Sequence, residues 1–172
     1  QYRDDKANLF RALDKHNHKK IIGGKEQQIP AFGIVNLEDP AASYFVEATK
    51  SPVMGFTSQG EAGRGKESVA ANPPAIPFVE AFNIGVGQEG SGINFTIRGN
   101  IPALKGKEVA VEAPTSGAFN AYNIMAASLA VATATALPLE AVVDQAKYLE
   151  PVTGRMTVVD CGQPFEVIVD YA

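Results

Sequence analysis

The sequence predicts an α/β fold, in which a parallel sheet with flanking helices is accompanied by a small antiparallel subsheet. A short apolar run at residues 31–35 leads into a helix signal and then into a second apolar run at 52–57, the strand–helix–strand order of α/β proteins. Residues 116–156 predict two consecutive helices followed by a strand. Three β-rich runs separated by glycine turns lie between these segments and predict the antiparallel part.

The amino-terminal quarter begins with a helix predicted at residues 2–14, with Leu9, Phe10 and Leu13 on one face and Lys6 one turn earlier. The polar residues 16–20 predict an exposed turn, and with His16 and His18 as the chain's only histidines we expect no zinc site.

The strand–helix–strand segment follows. After the strand at 31–35, Asp39 is predicted to cap a helix that runs to about residue 49, with Pro40 in its first turn. The next strand is predicted at 52–57, and a long loop rich in glycine and proline at 58–77. The antiparallel strands are predicted at 78–86, 93–98 and 108–112.

The two helices of residues 116–156 have signals at both ends. Asn120 is predicted to cap the first, which is alanine-rich and ends before Pro138. Its apolar stretch, 124–137, is only 14 residues long and falls short of the roughly 20 needed to cross a bilayer. The second helix is predicted to end at Pro151 and Gly154, and strands follow at 156–159 and 165–169. Its predicted inward stripe consists of Ala141, Val142, Ala146 and Leu149.

Composition excludes several classes of function. The chain has 172 residues, enough for one domain with its own core, and is 45% hydrophobic and 20% charged, as soluble globular proteins are. A net charge of −4 offers no basic surface, so we expect neither nucleic acid nor membrane as a partner. A single cysteine, Cys161, excludes an internal disulfide and is expected to be inert. With no secretory leader visible, we expect a cytoplasmic protein.

Two glycine-rich motifs resemble nucleotide-binding loops. GEAGRGKE at 60–67 is one residue from the phosphate-loop pattern, with Lys66 as its lysine, but Glu67 replaces the hydroxyl residue that would bind Mg²⁺ and no helix signal follows. The glycines Gly85, Gly87 and Gly90 spell GxGxxG, but a strand follows where a dinucleotide fold needs a helix, so we interpret them as a hairpin turn.

Three polar residues of the carboxyl-terminal half are candidate ligand contacts. Asn123 lies three residues after Asn120 on one helix face, and its amide can both donate and accept, as the adenine edge requires; a purely structural pair is the alternative. Arg155 lies between a helix and a strand and suits phosphate, or is simply exposed. Asp170 ends the last predicted strand, at the carboxyl edge where open α/β sheets bind ligands.

Four stretches together resemble a known family: YRDDKANLF at 2–10, GAFNAYN at 117–123, GRM at 154–156 and VDYA at 169–172. They are similar to the central ATPase domain of the Mur ligases, and most of all to the MurE type, the UDP-N-acetylmuramoyl-tripeptide synthetases. The resemblance covers the whole chain and is strongest at its two ends. It implies that residues 1–172 are part of the central ATP-binding domain, without its phosphate-loop half and without the family's N-terminal and C-terminal domains.

The resemblance also implies roles for individual residues. Lys6 matches the lysine that is carbamylated in the MurE type and then holds a metal ion, a chemistry that requires a neutral amine and gives an oxygen ligand suited to Mg²⁺. Asn123 matches the asparagine that contacts adenine, Arg155 the arginine on the ATP phosphates, and Asp170 the aspartate on the ribose hydroxyls. Glu38 stands where the family has aspartate, so we assign no catalytic role to Asn36 or Asp39.

The function implied by the resemblance is ATP-dependent amide ligation in peptidoglycan synthesis, with ATP and Mg²⁺ as cofactors. The substrates would be a UDP-MurNAc-dipeptide and a diamino acid, either lysine or diaminopimelate, and the parent enzyme would be a cytoplasmic monomer. This chain alone would be inactive. Two alternatives remain: a non-catalytic β-rich binding module around residues 78–112, and a phosphate-loop NTPase using Lys66.

Overall fold

The computed structural model describes residues 1–15, 18–58, 74–87, 92–115, 117–150, 152–155 and 157–171. Its helices and strands, in chain order, are α1 (Tyr2–Leu13), β1 (His18–Ile22), β2 (Lys25–Ile29), β3 (Gly33–Asn36), α2 (Ala42–Glu47), β4 (Val53–Ser58), β5 (Phe78–Val86), β6 (Ile93–Gly99), β7 (Val109–Ala113), α3 (Asn120–Thr135), α4 (Leu139–Val143), a 3₁₀ helix (Asp144–Tyr148), β8 (Thr157–Val158) and β9 (Ile168–Val169).

The main sheet has five strands in the order β3-β4-β5-β6-β7. Strands β3, β4 and β5 are parallel neighbours, and β5, β6 and β7 are antiparallel neighbours. The predicted antiparallel subsheet therefore exists, but it is continuous with the parallel part because β5 belongs to both. The antiparallel pairing of β5 with β6 confirms a hairpin at this motif, with Gly85 inside β5 opposite Asn94 and Gly87 directly after the strand.

Helices cover both faces of the parallel part because its strands bury both sets of alternating side chains. Ile34 of β3 packs with α3 in the main core, which also contains the fully buried Val79, Ile97 and Val111. Its neighbour Val35 packs on the opposite face in a smaller core with α2. Phe10 of α1 stacks on Phe45 of α2 there, with ring centres 5.4 Å apart. The α/β prediction is confirmed as a three-layer arrangement.

The predicted inward faces of two helices need correction. In α1 it is Ala7 that is buried, while Leu9 is 74% exposed, because α1 packs mainly against the short α2 and its Phe10 contacts the sheet at Gly33. In the second helical segment the buried residues are Leu139, Val143 and Ala146, whereas Ala141 and Leu149 are exposed. The prediction is confirmed only for Ala146, because the helix begins at Leu139 and tightens to 3₁₀ geometry at Asp144, which changes the residues that face inward on either side of it.

Two predicted helix caps also need correction. Asp39 accepts a hydrogen bond from the Ala41 amide (2.8 Å), but this bond closes a turn that precedes α2. Asn120 lies inside the first turn of α3, whose N-cap is Phe119. The Asn120 amide already donates to the Gly117 carbonyl oxygen (3.0 Å), so the backbone turn does what a capping side chain would do.

Two small hairpins lie outside the main sheet. Strands β1 and β2 pair antiparallel where the sequence predicted only an exposed turn. The two residues between them, Gly23 and Gly24, have φ angles of 59° and 77°, as a two-residue hairpin turn requires. Strands β8 and β9 pair antiparallel in a sheet of their own. Within the described residues, no helix is long and apolar enough to cross a membrane.

The carboxylate of Asp14, just after α1, ties this helix to the loop before β4. It accepts hydrogen bonds from the Thr49 hydroxyl (2.7 Å), the Lys50 amide (2.9 Å), the Ser51 amide (3.0 Å) and the Ser51 hydroxyl (3.0 Å). The side-chain bond from Thr49, followed by the backbone bond from Lys50, lowers the pKa of Asp14 to about 2. The position of α1 over the sheet therefore depends on an ionised carboxylate.

We expect the Asp14 interaction to stabilise the fold fully above its ordinary pKa of 3.8 and to be lost as the pH falls towards about 2, because the folded-state pKa is depressed. Asp14→Asn should lower the melting temperature near neutral pH, and the difference from the unmodified protein should shrink on acidification. Thermal unfolding from pH 7 to pH 2 checks this. Asp5→Asn is the control, because among the described residues the Asp5 side chain has no hydrogen bond. An equal pH response in both variants would contradict the role given to Asp14.

Candidate functional site

The first turn of α3 presents two amides on one face. The Asn123 Nδ2 donates to the Asn120 Oδ1 at 2.9 Å, which uses one of the two N–H groups of Asn123. Asn123 is exposed and keeps one donor and its carbonyl oxygen. A donor beside an acceptor fits the adenine edge, and the bond to Asn120 restrains the orientation of the amide. The pair predicted from spacing is present and is suited to a base.

Arg155 and Asp170 flank the β8–β9 hairpin, since Arg155 lies two residues before β8 and Asp170 directly follows β9. Arg155 Nη1 donates to the Tyr171 carbonyl oxygen (3.3 Å), and the Tyr171 amide donates to the Gly154 carbonyl oxygen (2.9 Å). Both Arg155 and Asp170 are exposed, so the guanidinium fork and the carboxylate are each accessible to a ligand. The prediction that Asp170 ends a strand of the main sheet is wrong, because among the described strands β9 pairs only with β8.

Lys6 is exposed on the first half of α1, with its Nζ 4.4 Å from the centre of the Tyr2 ring. In the part of the chain that the structure describes, no group of three histidine, cysteine or carboxylate side chains could hold a metal ion. Carbamylation of Lys6 stays a prediction.

Other predicted elements lie outside the described residues. These are the phosphate-loop-like motif at 60–67 with Lys66, as well as His16, Gly90 and Pro151. Cys161 is an exposed free cysteine.

A polar cluster at the carboxyl ends of β3 and β4 was not predicted. Its centre is Glu38, a partly buried residue that follows β3. Glu38 Oε1 accepts from the Ser58 amide (2.6 Å), the Thr57 hydroxyl (3.0 Å) and the Ser58 hydroxyl (3.1 Å). Glu38 Oε2 accepts from the Tyr122 hydroxyl at 2.8 Å. The cluster joins two strand ends to the first turn of α3, at the edge where open α/β sheets bind ligands.

Sequence signals for this cluster were available. Asn36 precedes Glu38 by two residues, and its Oδ1 accepts a hydrogen bond from the Glu38 amide (2.9 Å). This Asx turn directs the glutamate back over the sheet. Tyr122 stands between Asn120 and Asn123 in an otherwise apolar helix start. Glu38 and Tyr122 are both polar residues at the ends of predicted elements, but only the tertiary fold shows that they meet.

Comparison with known proteins gives consistent relatives. The chain is 39% identical over 172 residues to the UDP-N-acetylmuramyl-tripeptide synthetase of Treponema denticola and 37% identical over 176 residues to that of Treponema pallidum, in both cases over the whole chain. It is 26% identical over 98% of its length to the UDP-N-acetylmuramoyl-L-alanyl-D-glutamate–2,6-diaminopimelate ligase of Bacillus licheniformis. The chain belongs to the Mur ligase family.

This Mur ligase chain spans 29 to 32% of the length of those three relatives. Among solved structures it is similar to MurF from Acinetobacter baumannii, with a TM-score of 0.57 and 24% identity over 81% of this chain and 25% of that one. The similarity to MurF concerns the fold alone. No family model matches the sequence.

Gly154 is the residue on which the Mur ligase hairpin depends. Its φ is 78°, and a Cβ there would lie 2.3 Å from Cε2 of Tyr171. We therefore expect Gly154→Ala to displace the Tyr171 ring. The neighbouring residues Arg155 and Asp170 should move with it. Gly162→Ala is a matched control, because Gly162 has nearly the same φ, 79°, but no atom within 4 Å of its added Cβ.

Both glycine variants should lose about 1–2 kcal/mol for a side chain in the left-handed region, and only Gly154→Ala should lose more. Unfolding free energies and the NMR contacts between the Tyr171 ring and residue 154 check this. Equal losses in the two variants would show that the ring contact contributes nothing.

Proposed function

We propose that this Mur ligase chain is part of an ATP-dependent amide ligase that adds the third amino acid to a UDP-MurNAc-L-Ala-D-Glu peptide. The observation that carries the proposal is the 39% identity, over all 172 residues, to a protein named as a tripeptide synthetase. Because the chain spans 29% of that relative, the activity is proposed for the longer protein, of which residues 1–172 would form part of the central ATP-binding domain.

The proposed reaction makes one amide bond at the expense of one ATP. The terminal phosphoryl group passes to a carboxylate oxygen of D-glutamate and ADP leaves. The amine of the incoming diamino acid, lysine or diaminopimelate, then attacks the carbonyl carbon, and phosphate leaves as the amine gives up a proton. Positioning and compensation of charge are what a protein contributes to phosphoryl transfer.

Three side chains of this chain fit contacts to ATP. Asn123 has the donor and acceptor that the adenine edge needs, with its orientation restrained by Asn120. The Arg155 guanidinium is exposed and spends one N–H on a 3.3 Å bond to a carbonyl oxygen, so other donors remain for phosphate. Asp170 is exposed and can accept hydrogen bonds from ribose hydroxyls.

Lys6 is proposed to act through a carbamate on its side chain. Addition of CO₂ to the neutral amine would release one proton and replace the cation with an anionic oxygen ligand. The bound Mg²⁺ would offset charge on the transferring phosphoryl group. The support is the match of residues 2–10 to the family segment.

The proposed setting is the cytoplasm, where the UDP-linked precursor and a diamino acid would be the partners of a monomeric enzyme in cell-wall synthesis. Phosphate release by the whole ligase should require both substrates together with ATP and Mg²⁺. Phosphate release without the UDP-linked peptide would instead support an independent NTPase, and no dependence on nucleotide at all would support a binding module.

In the whole ligase, labelled bicarbonate should produce a carbamate carbonyl signal by NMR that Lys6→Ala abolishes. Activity of Lys6→Ala should fall about 10- to 100-fold, the scale for loss of a metal-supporting group, and recover partly with small carboxylates. Lys20→Ala, another exposed lysine, is the control and should keep the signal. Full activity of Lys6→Ala would remove Lys6 from the mechanism.

Losing a bond to uncharged adenine should cost about 0.5–1.5 kcal/mol, and losing a charged contact to phosphate about 1.5–3 kcal/mol. We therefore expect Arg155→Ala to lower kcat/KM for ATP more than Asn123→Ala does. Steady-state kinetics of the whole ligase measures both. If neither variant changes ATP affinity or turnover, the nucleotide does not bind at these residues.

A further inference from the structure

The Glu38 cluster suggests a function for two residues that the proposed function leaves unused. We propose that Glu38 and Tyr122 are positioning residues that set the orientation of Asn123 towards the base of the nucleotide. This inference rests on the proposed function, because it takes Asn123 as the contact to adenine.

The first step is that Glu38 is a fixed point. Its amide bonds to Asn36 Oδ1 (2.9 Å), and the neighbouring Leu37 amide continues the pairing with β4 through the Phe56 carbonyl oxygen (2.9 Å). From β4, the Ser58 amide and the hydroxyls of Thr57 and Ser58 all reach Glu38 Oε1 within 3.1 Å. Both the backbone of Glu38 and its Oε1 are therefore held by groups of the strands, so the carboxylate has little freedom to move.

The second step is that α3 is tied to this fixed point by Tyr122. The Tyr122 hydroxyl donates to Glu38 Oε2 (2.8 Å) and lies 2.5 Å from the Ser58 hydroxyl. The Tyr122 ring also packs against Phe56, with ring centres 6.3 Å apart. The hydroxyl is therefore a polar contact that restrains rotation of the helix start about its axis.

The third step is geometric. Tyr122 and Asn123 are consecutive, so they project about 100° apart around the helix and move together. At a side-chain radius of about 5–6 Å, a rotation of about 10° displaces the Asn123 amide by about 1 Å. A hydrogen bond tolerates only about 0.5 Å of variation in its length, so such a displacement breaks the contact to a base.

The test uses the whole ligase and the ratio of kcat/KM for ATP to that for GTP, which share ribose and phosphates but differ at the base edge. Tyr122→Phe should reduce this preference about 2- to 12-fold, the range for one neutral hydrogen bond, with the change mainly in KM for the nucleotide. Glu38→Gln should shift the ratio in the same direction. KM for the UDP-linked peptide should stay within about 2-fold.

Tyr44→Phe is the matched control. It removes a partly buried hydroxyl that donates to Asp4 on the opposite face of the sheet, so it should lower stability without changing the ATP-to-GTP ratio. In the Asn123→Ala background, Tyr122→Phe should cause no further change in the ratio, because the residue that it positions is gone.

The outcomes separate the two proposals. If Asn123→Ala leaves the ratio unchanged, the base contact in the proposed function is wrong and the positioning role falls with it. If Asn123→Ala lowers the ratio but Tyr122→Phe and Glu38→Gln do not, only the positioning inference is wrong. If Tyr122→Phe does not fold, the ATP-to-GTP ratio of Glu38→Gln decides whether the positioning inference is right.

Discussion

The packing of α3 across the sheet is the interaction on which the arrangement of the candidate site depends. The helix contacts β3, β4, β5 and β6, and its buried face includes Ala121, Ile124, Met125 and Leu129. Ala121 is completely buried at the start of the helix, where a small side chain lets the backbone lie close to the sheet. This contact fixes the distance of the first turn from the strands, and the polar groups at the same end then fix its rotation.

The cluster around Glu38 shows why a carboxylate is tolerated at that point. A partly buried carboxylate is costly unless donors surround it, and here one backbone amide and three hydroxyls do so. The strand ends supply three of these donors and the helix one. The Glu38 carboxylate bonds to the backbone of β4 as well as to α3. An apolar residue at position 38 would therefore remove the acceptor of the Ser58 amide.

Local patterns predicted the fold where a run of residues carried its own signal. The strand at 78–86 was predicted with the bounds that it has, because a β-rich run lies between Pro77 on one side and Gly87 on the other. The cap at Asn120 was predicted wrongly, because a backbone turn from Gly117 satisfied the amides first. The β1–β2 hairpin was missed because its strands are polar and mostly exposed, so that only the two glycines marked it.

The candidate site was predictable only where its residues belong to a local sequence motif. Asn123 and Arg155 stand out within short local motifs. The contact of Arg155 with the Tyr171 carbonyl oxygen depends on the β8–β9 hairpin, whose nine connecting residues, 159–167, carry no sequence signal that β8 and β9 pair. Glu38 and Tyr122 are separated by 84 residues, and their meeting depends on how a strand end and a helix start are placed by the whole sheet. Long-range polar contacts of this kind have no periodic signature, whereas apolar faces do.

The proposed contacts to ATP and Mg²⁺ lie on three separately held parts of the fold. Lys6 is on α1, which packs through α2 on one face of the sheet, and Asn123 is on α3, which packs on the other. Arg155 and Asp170 belong to the β8–β9 hairpin. Each part has its own local restraint: the Asp14 carboxylate for α1, the Glu38–Tyr122 bond for α3 and the Gly154–Tyr171 contact for the hairpin. A ligand that touches all three parts must link them, so the affinity for that ligand depends on restraints that the separate parts supply before it binds.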